Sequence, residues 1–283
     1  MKRPAHRFLL PLVLFAGLII SGGCSVLKIG YLQADFLGAM MVSRYLDLDA
    51  TQSALLKLEL KNLLSWHRSQ EIPRYASKLD TWSRQALSPI SPNQYDMVLA
   101  EADSAWKRLV QKTISPAGML LPRLTDAQVA QLKQSFAKEN QKLLDSSEDL
   151  PADERLQKRT DRWIERIEDT IGDLSPDQTG IIRSHVARMT EGGDLRYAWR
   201  LQRQEAFLSI LEQRNQPQVM KEKLREWLLV RDTTSELGKI NDNNRRVTRQ
   251  LILSLDQTLT TSQRQRLSGT LASYRDLCED LLP

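Results

Sequence analysis

Residues 152–178 read ADERLQKRTDRWIERIEDTIGDLSPDQ, and two patterns in that stretch decide the fold class. Leu156, Thr160, Trp163, Ile164, Ile167 and Ile171 recur every three or four residues, with Arg and Glu filling the opposite side. That is the period of an α-helix with one buried face. Beyond Gly172 comes Leu174-Ser175-Pro176-Asp177-Gln178, in which Ser175 can cap a new helix and Gln178 can reach back to the cap's own N–H. Pro176 falls at the first helical position, where its missing N–H costs nothing.

Both patterns repeat along the chain. Helical faces are spelled by Leu56, Leu60, Leu63, Leu64 and His67, and by Tyr95, Val98, Leu99, Ala102, Trp106, Leu109 and Thr113. Leu237, Ile240, Asn244, Val247, Leu251, Leu255 and Thr258 resemble a coiled-coil seam with one buried Asn. The capping phrase returns at Ile90–Gln94, Leu124–Gln128 and Leu259–Gln263, and more loosely at Leu48–Gln52. Its irregular spacing argues against a solenoid of fixed period. No segment alternates like a strand. The expected fold is all-α, a bundle of about ten helices.

Candidate breaks lie at the acidic stretch 145–153 and, more weakly, at Thr190-Glu191-Gly192-Gly193. They suggest a leader at 1–23, an N-terminal helical part at 24–146 and a C-terminal helical part at 151–283, as two sub-bundles or one continuous domain.

The leader is read from Lys2, Arg3 and Arg7, the 13-residue apolar run Phe8–Ile20, and the small residues Ser21, Gly22 and Gly23 before Cys24. This is the order of a secretory signal peptide. The run is short of the roughly 20 residues that span a bilayer. Ser21-Gly22-Gly23-Cys24 resembles the bacterial lipobox, although Ser21 stands where Leu is usual. The resemblance implies diacylation of Cys24 after removal of 1–23, and Ser25 in the next position implies sorting to the outer membrane on its periplasmic side. The lipid on Cys24 would make the membrane a partner.

Removing the leader's three basic residues lowers the side-chain balance from +5 to +2. Charges of both signs are interspersed, so no nucleic-acid footprint is expected. With Cys24 acylated, Cys278 is the sole remaining thiol; it shares a helical face with Leu267, Leu271, Tyr274 and Leu281 and reads as a buried apolar residue.

One polar cluster stands out: Trp66, His67 and Arg68 with Glu71, ahead of Pro73. His67 and Glu71 lie one turn apart and could share a proton or a metal. His67 also continues the Leu56 face, which reads as a packed histidine, with Glu71 peripheral and a kink at Pro73. The only other histidine after the leader is His185. Zinc-protease, nucleophile-elbow and phosphate-loop motifs are absent. No catalytic, metal or cofactor residues are expected.

Two resemblances follow from these residues. The Leu-Thr-x-x-Gln phrase is the signature of Spy-like periplasmic chaperones, which are helical cradles. The order Tyr45-Leu46-Asp47-Leu48 with Gln52, Trp66-His67-Arg68, Ile72-Pro73-Arg74-Tyr75-Ala76, Leu124-Thr125 with Gln128, Arg162, Arg166, Glu168, Gly172, Leu174-Ser175 and Gln178 resembles an uncharacterised family of proteobacterial lipoproteins. That resemblance implies an envelope address and an all-helical fold, with no activity attached. The expectation is a non-enzymatic binding, scaffold or chaperone-like lipoprotein with envelope-protein or unfolded-protein partners. The alternative is an envelope hydrolase centred on His67 and Glu71.

Overall fold

A computed structural model describes residues 24–146 and 150–282; the leader, the Cys24 side chain and 147–149 of the expected linker lie outside the described residues. The chain is all-α, with no strand among the described residues. Helices α1 (Cys24–Leu32) and α2 (Ala34–Ser43) form an N-terminal arm. Helix α3 (Ala50–Trp66) runs through a π-helical turn (His67–Glu71) into α4 (Ile72–Gln85). There follow α5 (Pro92–Leu120), a 3-10 turn (Leu121–Arg123), α6 (Asp126–Asp145), α7 (Ala152–Ile171) and α8 (Pro176–Ala187). Helices α9 (Gly193–Glu212), α10 (Pro217–Leu229), α11 (Glu236–Asp256) and α12 (Thr261–Asp280) complete the bundle.

The capping phrases start helices as their sequence demands. Asp49, Ser91, Thr125, Ser175 and Thr260 each accept from the backbone N–H three residues on, and the Gln at that position returns a bond to the cap's N–H. The loose copy at Leu48–Gln52 is thus a complete capping box, with Asp49 as its cap.

Four of the five boxes also join in pairs. Gln52 and Gln128 exchange amide hydrogen bonds of 3.0 and 2.6 Å, while Gln52 donates to Arg123 C=O and Gln128 to Asp47 C=O, each at 2.7 Å. Gln178 and Gln263 repeat the exchange at 2.9 Å both ways, donating to Thr258 C=O and Asp173 C=O at 3.1 and 2.8 Å. In every case the carbonyl reached lies two residues before the partner's cap. Each glutamine therefore closes its own helix start and binds the opposing one. Gln94 has no glutamine opposite it; Ile90 N–H instead donates to Asp256, which is ion-paired with buried Arg264.

The core is divided into four clusters. Ile182, Val186, Met189, Val247, Leu251 and Leu255 pack with Leu156, Trp163, Ile164 and Ile167, so the α7 face has the role its period predicts. Val110, Ile114, Ile210, Met220 and Leu224 join α5, α9 and α10. Leu46, Leu124, Leu132 and Leu211 join the α3 entry to α6 and α9, and Val129 packs there beside Leu124 as a staple would. Finally, Ile72, Ala76, Leu277, Cys278 and Leu281 fuse α4 to α12, with Leu27 and Tyr31 of α1 packed on them.

Three sequence expectations are corrected. The α5 face holds only in part: Leu99 and Ala102 face solvent, while Ala105, Val110, Ile114 and Gly118 are the buried set. Asn244 is half-buried rather than a seam residue, and it clamps Thr190 through both backbone N–H and C=O at 2.9 Å. Pro73 does not break its helix. The ladder slips to a π turn instead, with Ile72 N–H bonding His67 C=O, which absorbs the donor that proline lacks.

Candidate functional site

The polar cluster singled out by sequence coincides with that π turn. A π turn inserts one residue into the α-helical ladder, and such insertions recur at functional sites. Here it brings together groups from four helices.

His67 is mostly buried, and its Nδ1 shares a 2.8 Å hydrogen bond with the Tyr31 hydroxyl of α1. The Tyr31, Trp66 and Tyr75 rings surround it, with centroids 5.7, 6.3 and 5.6 Å away. Burial lowers the imidazole pKa from its ordinary 6.5, and the charge of Glu71 only partly opposes this. Burial likewise pushes the Tyr31 and Tyr75 phenols well above the usual range; at Tyr75 the Glu71 carboxylate adds to the shift. The aromatic side of the turn is therefore kept neutral.

The other side is a fixed ion pair. Glu71 is 1% exposed, which reverses its expected peripheral place. Arg108 of α5 binds it through both fork nitrogens: Nε reaches the two oxygens at 2.8 and 3.1 Å, and a terminal nitrogen lies 2.9 Å from one of them. Arg108 also reaches Glu101 at 3.2 Å, and Arg74 lies 4.0 Å from Glu71. Two parallel bonds to a carboxylate fix orientation as well as charge. The hydrogen bonds to Glu71 raise the guanidinium pKa further, so Arg108 stays charged. Both Glu71 oxygens are occupied.

Trp66 and Arg68 take different partners. Trp66 faces α5, where the Lys112 ammonium sits 5.7 Å from its ring. Arg68 donates to Leu281 C=O at 2.9 Å and so ties the turn to the end of α12. Beside Lys112 runs an open groove of about 380 Å³, lined by Glu59, Asn62, Leu63, Gln111, Lys112, Ser115, Pro116 and Met119. His185 sits on α8 and bonds Ile181 C=O at 2.8 Å. Cys278 is fully buried, and burial pushes its thiol up to about 11. Among the described residues no group of three His, Cys, Asp or Glu is placed to hold a metal ion.

The sequence profile of a family of unknown function, DUF6279, matches residues 44–237. The chain belongs to that family. The match takes in the π turn, Arg108 and the Gln52–Gln128 pair of this DUF6279 member, while Gln263 and Cys278 fall beyond it. Neither the curated proteins nor the solved structures hold a match to the chain.

Sequence reading missed Tyr31, Glu101 and Arg108, whose roles depend on approach from other helices. It also missed Arg203, whose guanidinium stacks on Trp227 at 3.8 Å and lies 5.6 Å from Trp199. Arg203 binds the Trp227 carbonyl, Trp227 Nε1 donates to Arg203 C=O at 3.1 Å, and burial lowers the guanidinium to about 10. The Trp199/Arg203 spacing of one helical turn was the available signal.

Proposed function

We propose that this DUF6279 member is a lipoprotein held through Cys24 at the periplasmic side of the outer membrane, where its helical body serves as a non-enzymatic binding or scaffold module. The anchor is supported by the basic start, the short apolar run and the Gly22-Gly23-Cys24 exit, followed by Ser25. Two acyl chains give stable attachment, whereas one is marginal. No helix among the described residues is long and apolar enough to cross a membrane.

The non-enzymatic part rests on one observation. The groups that would have to react are each engaged by a neighbour: Glu71 by Arg108 and His67 Nδ1 by Tyr31. A general base needs reach to a substrate proton, and these groups instead join α1, α3, α4 and α5. Exposed Met97, Leu99, Leu195, Leu201 and Val230 offer apolar surface for an envelope or unfolded-protein partner, the chaperone-like form of this reading.

Metabolic labelling with a fatty-acid analogue tests the anchor: wild type takes the label and Cys24→Ser does not, and equal labelling of both refutes it. His67→Ala and Glu71→Gln, introduced into cells lacking the native protein, test the rest. Any defect should follow protein abundance. Complete loss of phenotype at full abundance in both variants would favour a hydrolase.

A further inference from the structure

The arm formed by α1 and α2 is apolar on two opposite faces, and the bundle covers only one. Backbone bonds from Gln33 N–H to Ile29 C=O and from Leu37 N–H to Gln33 C=O carry the helix across the break at Gln33. Residues 27–42 therefore share one helical wheel. Leu27 and Tyr31 pack on the α4–α12 core, Gly38 lies against Leu60 of α3, and Val42 joins the α3–α6–α9 core. These four positions fall within about 30° of one direction at 100° per residue.

Ile29, Phe36 and Met40 fall on the opposite direction together with the uncharged, exposed Gln33, flanked by Leu32 and Leu37. Phe36 is 63% exposed, Ile29 58% and Leu32 48%; Met40 and Met41 exceed 40%. No residue of α2 is buried. The arm has two charged residues, Lys28 and Asp35. Lys28 is paired with Asp280 at 2.8 Å, and both charges lie on the flank nearest the bundle. The outer face is thus free of charge along its whole length. Helices that are apolar all round are normally covered on all sides.

Resting on the lipid-anchor reading above, we infer that the outer face of residues 29–41 lies in the interfacial layer of the bilayer that carries the acylated Cys24. The argument is continuity. Helix α1 begins at Cys24 itself, so the residue that would carry the acyl chains and the face that starts at Ile29 stand on one helix with no linker between them. A short helix lying in the interface buries an apolar face at the boundary of headgroups and acyl chains. Lipid also explains why the face bears no charge, since a water-facing or weakly bound protein surface would tolerate one. The arm then sets the height and tilt of the bundle above the membrane, because its inner face is fastened to two of the four cores.

The test uses the full acylated chain in vesicles of phosphatidylethanolamine and phosphatidylglycerol, with doxyl groups on a fraction of the acyl chains. Phe36→Cys and, as a remote control, Leu195→Cys are labelled with a polarity-sensitive thiol dye. Acylation consumes the Cys24 sulfur and Cys278 is buried, so the parent chain should take up no dye. Expected at position 36 is quenching by doxyl lipid and several-fold protection from aqueous iodide; position 195 should show neither. Equal iodide access at the two positions overturns the inference. So does iodide protection at position 36 without doxyl quenching, which means that protein covers the face; a 36-to-36 crosslink would identify a second copy. Dye on the parent chain reports failure of the anchor itself, and the arm inference falls with it. A blank parent with an iodide-open position 36 reports failure of the arm alone.

Discussion

Replacing Gln178 by Ala separates a local cap from a tertiary joint. Gln178 is 2% exposed, and its side chain makes five bonds: from Ser175 N–H at 3.0 Å, both ways with Gln263 at 2.9 Å, and to the C=O and hydroxyl of Thr258 at 3.1 and 3.3 Å, the last two sharing one amide nitrogen. Gln263 keeps Asp173 C=O and Thr260 N–H, so each of its polar atoms retains one partner. At about 1 kcal/mol net per bond, the loss comes to about 3–4 kcal/mol, with the amide's volume left empty besides. Gln94→Ala is the control. It removes one cap bond, 2.8 Å to Ser91 N–H at an exposed helix start, and should cost about 1 kcal/mol or less. For a chain of this size the difference corresponds to roughly 4–12 °C in melting temperature. A double-mutant cycle of Gln178→Ala with Gln263→Ala should show about 1–2 kcal/mol of coupling, since the two share a reciprocal pair; Gln94→Ala with Gln263→Ala should add within about 0.5 kcal/mol. Urea denaturation of the wild type, the three single variants and the two double variants reads this directly. If Gln178→Ala costs no more than Gln94→Ala, or if the cycle is additive, the pairing contributes nothing and the phrase is only a cap.

The π turn supplies two further expectations. Arg108→Ala strands the carboxylate of Glu71, which is 1% exposed, and should cost about 2–4 kcal/mol; adding Glu71→Leu should recover much of that loss. A loss below about 1 kcal/mol in urea denaturation would mean that water reaches Glu71. His67 gives a pH signature: burial lowers its folded pKa below the ordinary 6.5, so the unfolded chain binds the proton more tightly. Its stabilising contribution is complete above pH about 6.5 and is lost as pH falls through the depressed folded value. Thermal melts of wild type should fall relative to His67→Gln as pH drops from about 7 to 5, and parallel curves for the two proteins would refute the assignment.

Much of this molecule could be read without coordinates because helices begin and repeat locally. Ser175 and Gln178 are three residues apart, and a capping box needs nothing more distant. The α7 face was legible for the same reason, as was the burial of Cys278 on the stripe with Leu281. The failures are equally physical. Leu99 fits a helical period yet faces solvent, because period names a stripe and not the neighbour that covers it. Glu71 reads from the sequence as a peripheral member of the His67 cluster, and only Arg108, arriving from α5, makes its burial tolerable.

The sequence by itself determined the all-helical class and the five helix starts that carry capping boxes. Tertiary structure alone decided which helix starts meet. One amide satisfies a cap with a single acceptor bond and has capacity to spare. Nothing local says that Gln52 spends the remainder on Gln128, 76 positions away, or Gln178 on Gln263, 85 away, while Gln94 finds no amide opposite. The same holds for the arm: its composition shows that it is apolar, but only the packing of Leu27, Tyr31, Gly38 and Val42 against the bundle shows which face remains open. Helix formation is a short-range property of the chain, whereas the choice of partner for a spare hydrogen bond or an apolar face depends on which elements the fold brings within reach.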